Sequence, residues 1–597
     1  MKMNLSGFTV SCDVPVTIDL TASEKNGVSL FTFSLGWDPE TLADATSVTV
    51  SWQRPMLDHM YCWTPSRGLS RKVLPDWAGE ESSMVSKSAP VSCIFDGRSR
   101  AQYVWALDEC QKLVFCKNGV IEENGEMLFA FRLPLKQYTA ASCTKVTLRA
   151  DERGLSFAEA LGDVVRWWEK DCGMTPASVP DTAKAPVYSF WYSFHQNVIA
   201  AEVEKECRRA KKLGFDICII DDGWQTDDNS RGYAFCGDWE ACPAKIPDMA
   251  AHVRAVHDIG MKYILWYSVP FVGYYSDHYD HFKDMLLYKR DNLNTGVLDP
   301  RYKEVREFLV NIYKKALLDW NPDGFKLDFI DSWFDSPENA PYNEKMDIPS
   351  LQDAVRIFMT TVMQELKSVK SDILLEFRQN YIGPHMRTFG NMFRVADCPG
   401  DYLSNRVGIF DLRMLMGNSA VHSDMLMWHQ NETVEMDALQ IISIMFGVMQ
   451  YSACLHQQSS RVKKMSKFWL DFLSAHKKTL LDGKLRCYEP HLLYTWAQST
   501  SDEECIAAVY SADKCISPKA LSAVYLANGS NSNRILVEME GVYQVSVFNC
   551  CGEETECFIR DFRGINTLDV PVGGIAVLKS DCTANVQNEK TTIPAKR

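Results

Sequence analysis

A carboxylate stands at the tip of a short apolar run, Gly324-Phe325-Lys326-Leu327-Asp328-Phe329, with a lysine two residues before it. Side chains along a strand alternate between faces, so Lys326 and Asp328 share one. An ionised acid is expensive to bury unless a partner or a function keeps it there. The preceding segment, Ala316-Leu317-Leu318-Asp319-Trp320-Asn321-Pro322-Asp323, reads as a helix end and a proline turn. The following one, Asp331-Ser332-Trp333-Phe334-Asp335, is polar and aromatic, as a ligand-facing loop would be. Asp328 is therefore expected to be a catalytic nucleophile.

Other strand-like runs end in similar groups. Asp216 to Ile220 leads into Asp221-Asp222-Gly223-Trp224, and Lys262 to Tyr267 carries Trp266. Ile373 to Phe377 passes into Glu376-Phe377-Arg378-Gln379-Asn380. Phe393 to Ala396 carries Arg394 and is followed by Asp397 and Asp401. Val421 to Met427 holds His422 and Asp424, with Trp428-His429 beyond. A single acid at a strand end serves equally well as a structural ion-pair partner. Five such ends of one character point to a shared site.

Paired carboxylates on neighbouring strands are the equipment of glycoside hydrolysis, in which one attacks the anomeric carbon and the other protonates the leaving oxygen. Asp328 and Asp397 fit those roles. Lys326 would keep Asp328 ionised. Asp397 must be protonated to act as the acid, so its pKa is expected to be raised by burial or by acids such as Asp401. Asp221 and Asp222 can accept bonds from two adjacent sugar hydroxyls, or hold a divalent metal. No histidine or further acid lies at matching spacing for the metal.

The strands that carry these groups alternate with helical patterns at Ala200–Leu213, Asp248–Ile259, Tyr302–Leu318 and Ile348–Val369. With Pro186 to Ser193 before them and Val448 to Leu455 after them, the repeat predicts a (β/α)8 TIM barrel over 181–484. An open doubly wound sheet is the alternative, but no Gly-rich dinucleotide turn supports it. Residues 1–155 alternate at strand period, as in Val28 to Ser34 and Met127 to Leu133, and predict an N-terminal β-sandwich. A linker helix and a proline-bearing linker occupy 156–180, a second, C-terminal β-sandwich 485–583, and a flexible tail 584–597.

The chain has 597 residues, 46% hydrophobic and 23% charged, which is ordinary for a multidomain globular protein. Its net charge of −14 disfavours nucleic acid or an anionic membrane as partner. Sixteen Trp and 23 Tyr offer flat faces that suit sugars and cores alike. Met1-Lys2-Met3-Asn4-Leu5-Ser6-Gly7 leads into a strand pattern rather than an apolar leader, and no stretch has the length of a membrane span. Twenty Cys are scattered without a Cys-x-x-Cys pair, so reduced thiols and a cytoplasmic location are expected.

Taken in order, Asp221-Asp222-Gly223-Trp224, Gly237-Asp238-Trp239, Lys326-Leu327-Asp328 and Arg394-Val395-Ala396-Asp397 resemble the motifs of the glycoside hydrolase family 36 α-galactosidases of clan D. The order sandwich, barrel, sandwich is also that family's. The resemblance implies a retaining, exo-acting double displacement on α-galactosides, without metal or organic cofactor, on an oligosaccharide or glycoside substrate, in a chain that could assemble as a homo-oligomer. It implies Asp328 as nucleophile and Asp397 as general acid/base. Asp221 and Asp222 would bind O4 and O6 of galactose, Lys326 and Arg394 would reach ring hydroxyls, and Trp266 would line the pocket. The family's Cys- and Gly-rich turn with an Arg after strand five is replaced here by Glu376-Phe377-Arg378-Gln379-Asn380-Tyr381-Ile382-Gly383-Pro384, where Arg378 could take over that arginine's place. The Arg-Val-Ala-Asp segment and Ser423-Asp424-Met425 also look like the raffinose-synthase branch, which transfers galactose to sugars. The alternatives are thus a galactosyl-transferring enzyme, a glycosidase for N-acetylgalactosamine or an O6-modified or acidic sugar paired to Arg378, a metal-dependent barrel enzyme, and a non-catalytic carbohydrate-binding protein.

Overall fold

Eight short parallel strands lie side by side in chain order: β1 (Val187–Ser189), β2 (Ile217–Ile220), β3 (Lys262–Ser268), β4 (Gly324–Asp328), β5 (Leu374–Arg378), β6 (Met392–Arg394), β7 (Ala420–His422) and β8 (Gln450–Tyr451). β8 pairs with β1, and the bridges His422–Val448 and Leu426–Tyr451 join β7 to β8. The sheet therefore closes into a barrel. This computed structural model describes residues 2–580 apart from 44, 45, 57 and 139–141. The tail expected at 584–597 lies outside the described residues. β2 reads as a continuous apolar run because both of its faces are covered, as parallel barrel strands require.

The barrel interior is layered. Val187, Ile217, Ile219, Ile264, Leu374, Met392 and Ala420 form an apolar plug at the N-terminal end, with Ala183 packed beneath it. Gly324 belongs to the same level, where a Cβ would meet the Leu374 backbone at 2.1 Å. One step along the strands the inward residues turn polar: Lys326 pairs in register with Glu376, and Arg394 with both Arg378 and His422. Lys326, Glu376, Arg378, Arg394 and His422 thus form a polar layer on the C-terminal side of that plug.

Outside, α1 (Phe157–Lys170) precedes the barrel. α2 (Ala200–Leu213), α3 (Met249–Asp258), α4 (Lys303–Trp320) and α5 (Leu351–Val369) follow β1 to β4. α6 (Tyr402–Leu415), α7 (Val434–Ile444) and α8 (Ser460–Ala475) follow β6 to β8. Between β5 and β6 there is a single helical turn, Met386–Phe389. α1 lies against α6, and its Glu169 accepts from Arg387 of that turn, so a helix from outside the repeat completes the ring. The helix starts are locally encoded: Asp248 accepts from the Ala251 N–H at 2.9 Å and Ser350 from Asp353 N–H at 3.3 Å. Ser156 stands at the N-cap of α1 as expected, but its hydroxyl donates to Glu159 instead.

Residues before α1 form two six-stranded antiparallel sheets around a core that includes Phe33, Trp52, Trp105 and Phe129. After α8, one eight-stranded sheet runs from Lys484 to Ser580. Its long strand Arg534–Phe548 pairs with Cys515–Ile516 near its start and with Ile575–Ser580 at its end, so the sheet wraps one core. Arg71 of the first sandwich forms a buried two-pronged pair with Asp411 of α6 at 2.9 and 3.0 Å. Tyr494 donates to the same carboxylate at 2.6 Å. Three regions thus meet on one acid.

Removing one member of a buried pair strands the other in a low-dielectric site. Arg71→Ala should destabilise the protein by about 3 to 5 kcal/mol, and Arg71→Ala/Asp411→Ala by less than the single change. Urea unfolding followed by tryptophan fluorescence measures both; a single variant within about 1 kcal/mol of the parent would show that the contact does not hold the domains together.

Candidate active site

Asp328 closes β4 and is almost fully buried. One oxygen accepts from Arg378 Nε at 2.7 Å, Tyr381 Oη at 3.0 Å and its neighbour's Phe329 N–H at 2.8 Å. The other accepts from the Trp266 indole N–H at 3.1 Å. Burial alone would push this carboxyl up, but Arg378, Lys326 and the Trp266 bond outweigh it, and it is held well below the usual range. It is a desolvated carboxylate that stays ionised. Phe329 turns the chain away with a left-handed φ of 64° and packs on Phe271 with 28° between the rings.

Lys326 reaches across to Asp221 at the end of β2, with Nζ to Oδ2 at 2.6 Å and both side chains buried. Asp222 accepts from Gln196 Nε2 at 2.7 Å and Gln225 Nε2 at 2.8 Å. These bonds do not offset its burial, which raises its carboxyl to about 6. Gly223 follows with φ +109°, and a Cβ there would meet the Gln196 backbone at 2.4 Å, so the loop after β1 can close on the acid pair.

Arg394 on β6 is the hub of the opposite side. It is buried and donates to Asp424 and, at 2.8 Å, to Asp397; its Nε lies 3.8 Å from Glu376. Asp424 also accepts from Cys398 N–H at 2.7 Å and Tyr192 Oη at 2.9 Å. Glu376 accepts from Gln450, and burial raises its carboxyl despite Lys326 and Arg394. His422 is fully buried and lowered to about 4 by that burial, so it stays neutral, bonded to the Ala183 carbonyl at 2.8 Å.

The structure differs from expectation at Asp397. Its side chain is 54% exposed, and although burial of the carboxyl pushes it upward, Arg394 and Lys326 pull it below the ordinary value. Asp401 does not raise it: that residue caps α6, accepting from Ser404 N–H at 2.9 Å. Trp266 is buried against Tyr233 and Trp239 and acts on Asp328 through its N–H rather than presenting an open face. Arg378 is engaged by Asp328 itself. Tyr381, Gln196, Gln225 and Tyr192 were not singled out from the sequence; only Tyr381 had a local signal, three residues after Arg378 in the same loop.

Asp238 of the Gly237-Asp238-Trp239 motif ties the loop after β2 to the excursion after β3, accepting from Ser276 Oγ at 2.6 Å. The N-terminal sandwich buttresses two loops at the C-terminal end of the barrel. Ser86 Oγ donates to the Trp333 carbonyl at 2.7 Å, and Ser88 N–H to the Asn380 carbonyl at 2.8 Å. Away from the site, Glu206, Cys454 and His456 bring ligand atoms within 4.8 Å of one another among the described residues. Glu206 already accepts from Arg209 at 2.7 Å and from backbone N–H groups of 455 and 456. Every described cysteine is free, and no described helix is long and apolar enough to cross a membrane.

Acids and two arginines thus gather at the C-terminal rim of a closed (β/α)8 barrel flanked by β domains. Residues 186–378, from β1 to β5, match the Melibiase family. Over 149 residues the chain is 31% identical to α-galactosidase Mel36A of Lactobacillus acidophilus, covering 24% of this chain and 19% of that protein. It is 24% identical over 135 residues to α-galactosidase AgaA of Geobacillus stearothermophilus, covering 21% and 18%. The aligned stretches thus span about a fifth of these relatives' length. The structure of AgaA in complex with raffinose superimposes with a TM-score of 0.64 at 15% identity, over 96% of this chain and 81% of that one. TtGalA, an α-galactosidase of Thermus thermophilus, gives 0.53 at 16% identity, over 81% and 95%. From β1 to β5 the chain is thus similar to the Melibiase family, and over nearly its whole length it shares the fold of the solved family 36 α-galactosidases.

The raised carboxyl of Asp222 has a measurable consequence. It holds its proton up to about 6, against about 3.9 for an unfolded aspartate. The native state therefore binds more protons between those values, and this group's contribution falls as pH rises from about 4 to about 6. Asp222→Asn should flatten the stability profile in that window. Thermal midpoints across it check this; a variant profile as steep as the parent's would show that Asp222 does not titrate there.

Proposed function

We propose that the protein is a retaining, exo-acting α-galactosidase that removes terminal α-linked galactose from oligosaccharides. The observation that carries this reading is Asp328, a desolvated carboxylate kept ionised by Arg378, Lys326, Tyr381 and Trp266 at a barrel strand's C-terminal end. A nucleophile needs both properties: low hydration and the charged form. The α-galactosidase activity in the names of the relatives supports the choice of sugar.

In this reading Asp328 attacks the anomeric carbon and forms a β-galactosyl ester while Asp397 gives its proton to the leaving oxygen. Asp397 then takes a proton from water as water attacks the same carbon, which releases galactose with retention. Arg394 favours the ionised Asp397 that the second half requires. For the first half, the leaving group shields the half-exposed Asp397 from water, which favours the protonated form. Asp221 and Asp222 accept from galactose O4 and O6 on the side of the ring away from the chemistry. Lys326 is bound to Asp221 and orients it. Arg378, bound to Asp328, serves the nucleophile; this leaves it poorly placed to select an acidic sugar.

Asp328→Ala should lower turnover of an aryl α-galactoside by about 10³-fold or more, and added azide should restore part of it as the β-galactosyl azide. Normal turnover in this variant would refute the nucleophile. Asp397→Ala should cost natural oligosaccharides about 10² to 10⁴-fold, but activated aryl glycosides less, because a good leaving group needs no proton. Equal losses on both substrates would remove Asp397 from the acid role. Product analysis at high acceptor concentration tests hydrolysis against transfer.

A further inference from the structure

The loop after β8 meets α2 around one acid. Glu206 of α2 is buried, and its Oε1 accepts from the N–H groups of Leu455 and, at 3.2 Å, His456. The Tyr188 hydroxyl lies 3.4 Å from the same oxygen. These bonds fix the carboxylate and tie the loop to the helix, and they leave Oε2 for other partners. Leu455 is flanked by Cys454 and His456, and His456 Nδ1 is 3.4 Å from Oε2. Ligand atoms of Glu206, Cys454 and His456 all lie within 4.8 Å of one another, the one such trio among the described residues. The remaining partner of Oε2 is Arg209, whose Nη1 donates at 2.7 Å from one turn along α2. That side chain is 44% exposed, so it can withdraw into water in favour of another cation.

A carboxylate oxygen, a thiol sulfur and an imidazole nitrogen are the donors that a zinc-type ion takes, whereas magnesium and calcium prefer oxygen alone. We propose that Glu206, Cys454 and His456 form a site for a zinc-type divalent ion, with water as a fourth ligand, that clamps the loop after β8 to α2. Burial and Glu206 keep the Cys454 thiol protonated, so the sulfur gives its proton to solvent as it bonds the ion. With Nδ1 on the ion, the ring proton stands on Nε2. The Gln457 amide lies 3.4 Å from that nitrogen, and a half-turn presents its oxygen as acceptor. The clamped loop also supports the segment after β1, because Ser452 Oγ accepts from Tyr192 N–H at 3.0 Å and from Ser193 N–H at 3.3 Å. The site takes no part in the chemistry at Asp328 and Asp397, and it does not rest on the choice of sugar.

The test titrates reduced protein, stripped of metal by a chelator, with Co²⁺, whose thiolate charge-transfer band reports a sulfur ligand, and then displaces it with Zn²⁺. The parent should show the band at one equivalent, and zinc should raise its thermal midpoint. Cys454→Ser should abolish the band, and His456→Ala should weaken zinc at least about tenfold. Arg209→Gln removes the competing cation and should tighten zinc by about two- to fivefold, the worth of a part-exposed ion pair. Glu206 also anchors the loop, so it is left in place, and the three variants are compared at metal-free thermal midpoints matching the parent's. No band in the parent overturns the site. So does a band that survives Cys454→Ser, which would come from another of the chain's twenty cysteines. Zinc affinity that Arg209→Gln leaves unchanged or lowers would remove Glu206 from the ligands and overturn it as well.

Discussion

An ionised carboxylate in a dry barrel mouth is the constraint around which this molecule is arranged. Asp328 stays charged without water only because cations stand within reach: Arg378 in contact, with Lys326 and Arg394 beyond it. Lys326 and Arg394 are themselves buried and each has its own acid, Asp221 for Lys326, and Asp424, Asp397 and Glu376 for Arg394. Signs alternate across neighbouring strands, so no charge is stranded. Such a lattice requires side chains from β2, β4, β5, β6 and the loop after β7 at one height. A parallel barrel supplies that, because its registers set inward residues in layers. The apolar plug beneath then keeps water from entering from the other end.

The two β domains matter to this arrangement in different degrees. The N-terminal sandwich touches the loops after β4 and β5 through Ser86 and Ser88, and those loops carry Tyr381 and the base of Trp333. It steadies donors to Asp328 without contributing, among the described residues, a group that meets that carboxylate. The C-terminal sheet reaches the barrel through Tyr494 on Asp411, on the outer side of α6.

The parts of the molecule that the sequence disclosed are those with a local signature. The longer parallel strands, β2 to β5, announce themselves as largely apolar runs of four to seven residues that end at or beside a polar group, so Asp221 and Asp328 could be placed from pattern alone. The partners of those groups could not. Gln196 bonds Asp222 across 26 residues, Trp266 bonds Asp328 across 62, and Tyr192 bonds Asp424 across 232. Nothing in the surrounding composition marks a tyrosine or glutamine that acts at such a distance. Asp397 shows the limit differently. Its neighbour in sequence, Asp401, suggested repulsion and a raised pKa, whereas in space Asp401 is turned to the helix it caps and Arg394 controls the charge. Proximity along the chain was a poor guide to electrostatic proximity there.

The single turn between β5 and β6 bears on how the chain can be divided. Since α1 stands in the ring beside that turn, the eightfold shell is completed by a segment made before any barrel strand. A piece beginning at residue 181 would contain all eight strands and still leave uncovered the apolar faces on which Leu161, Val164 and Trp168 pack. A piece ending before 156 would free the sandwich of the helix whose Trp168 donates to the Leu107 carbonyl. The helix is therefore a rivet common to both bodies. A recombined protein that exchanges one of them for a relative's would have to carry it along with a matching surface on each side.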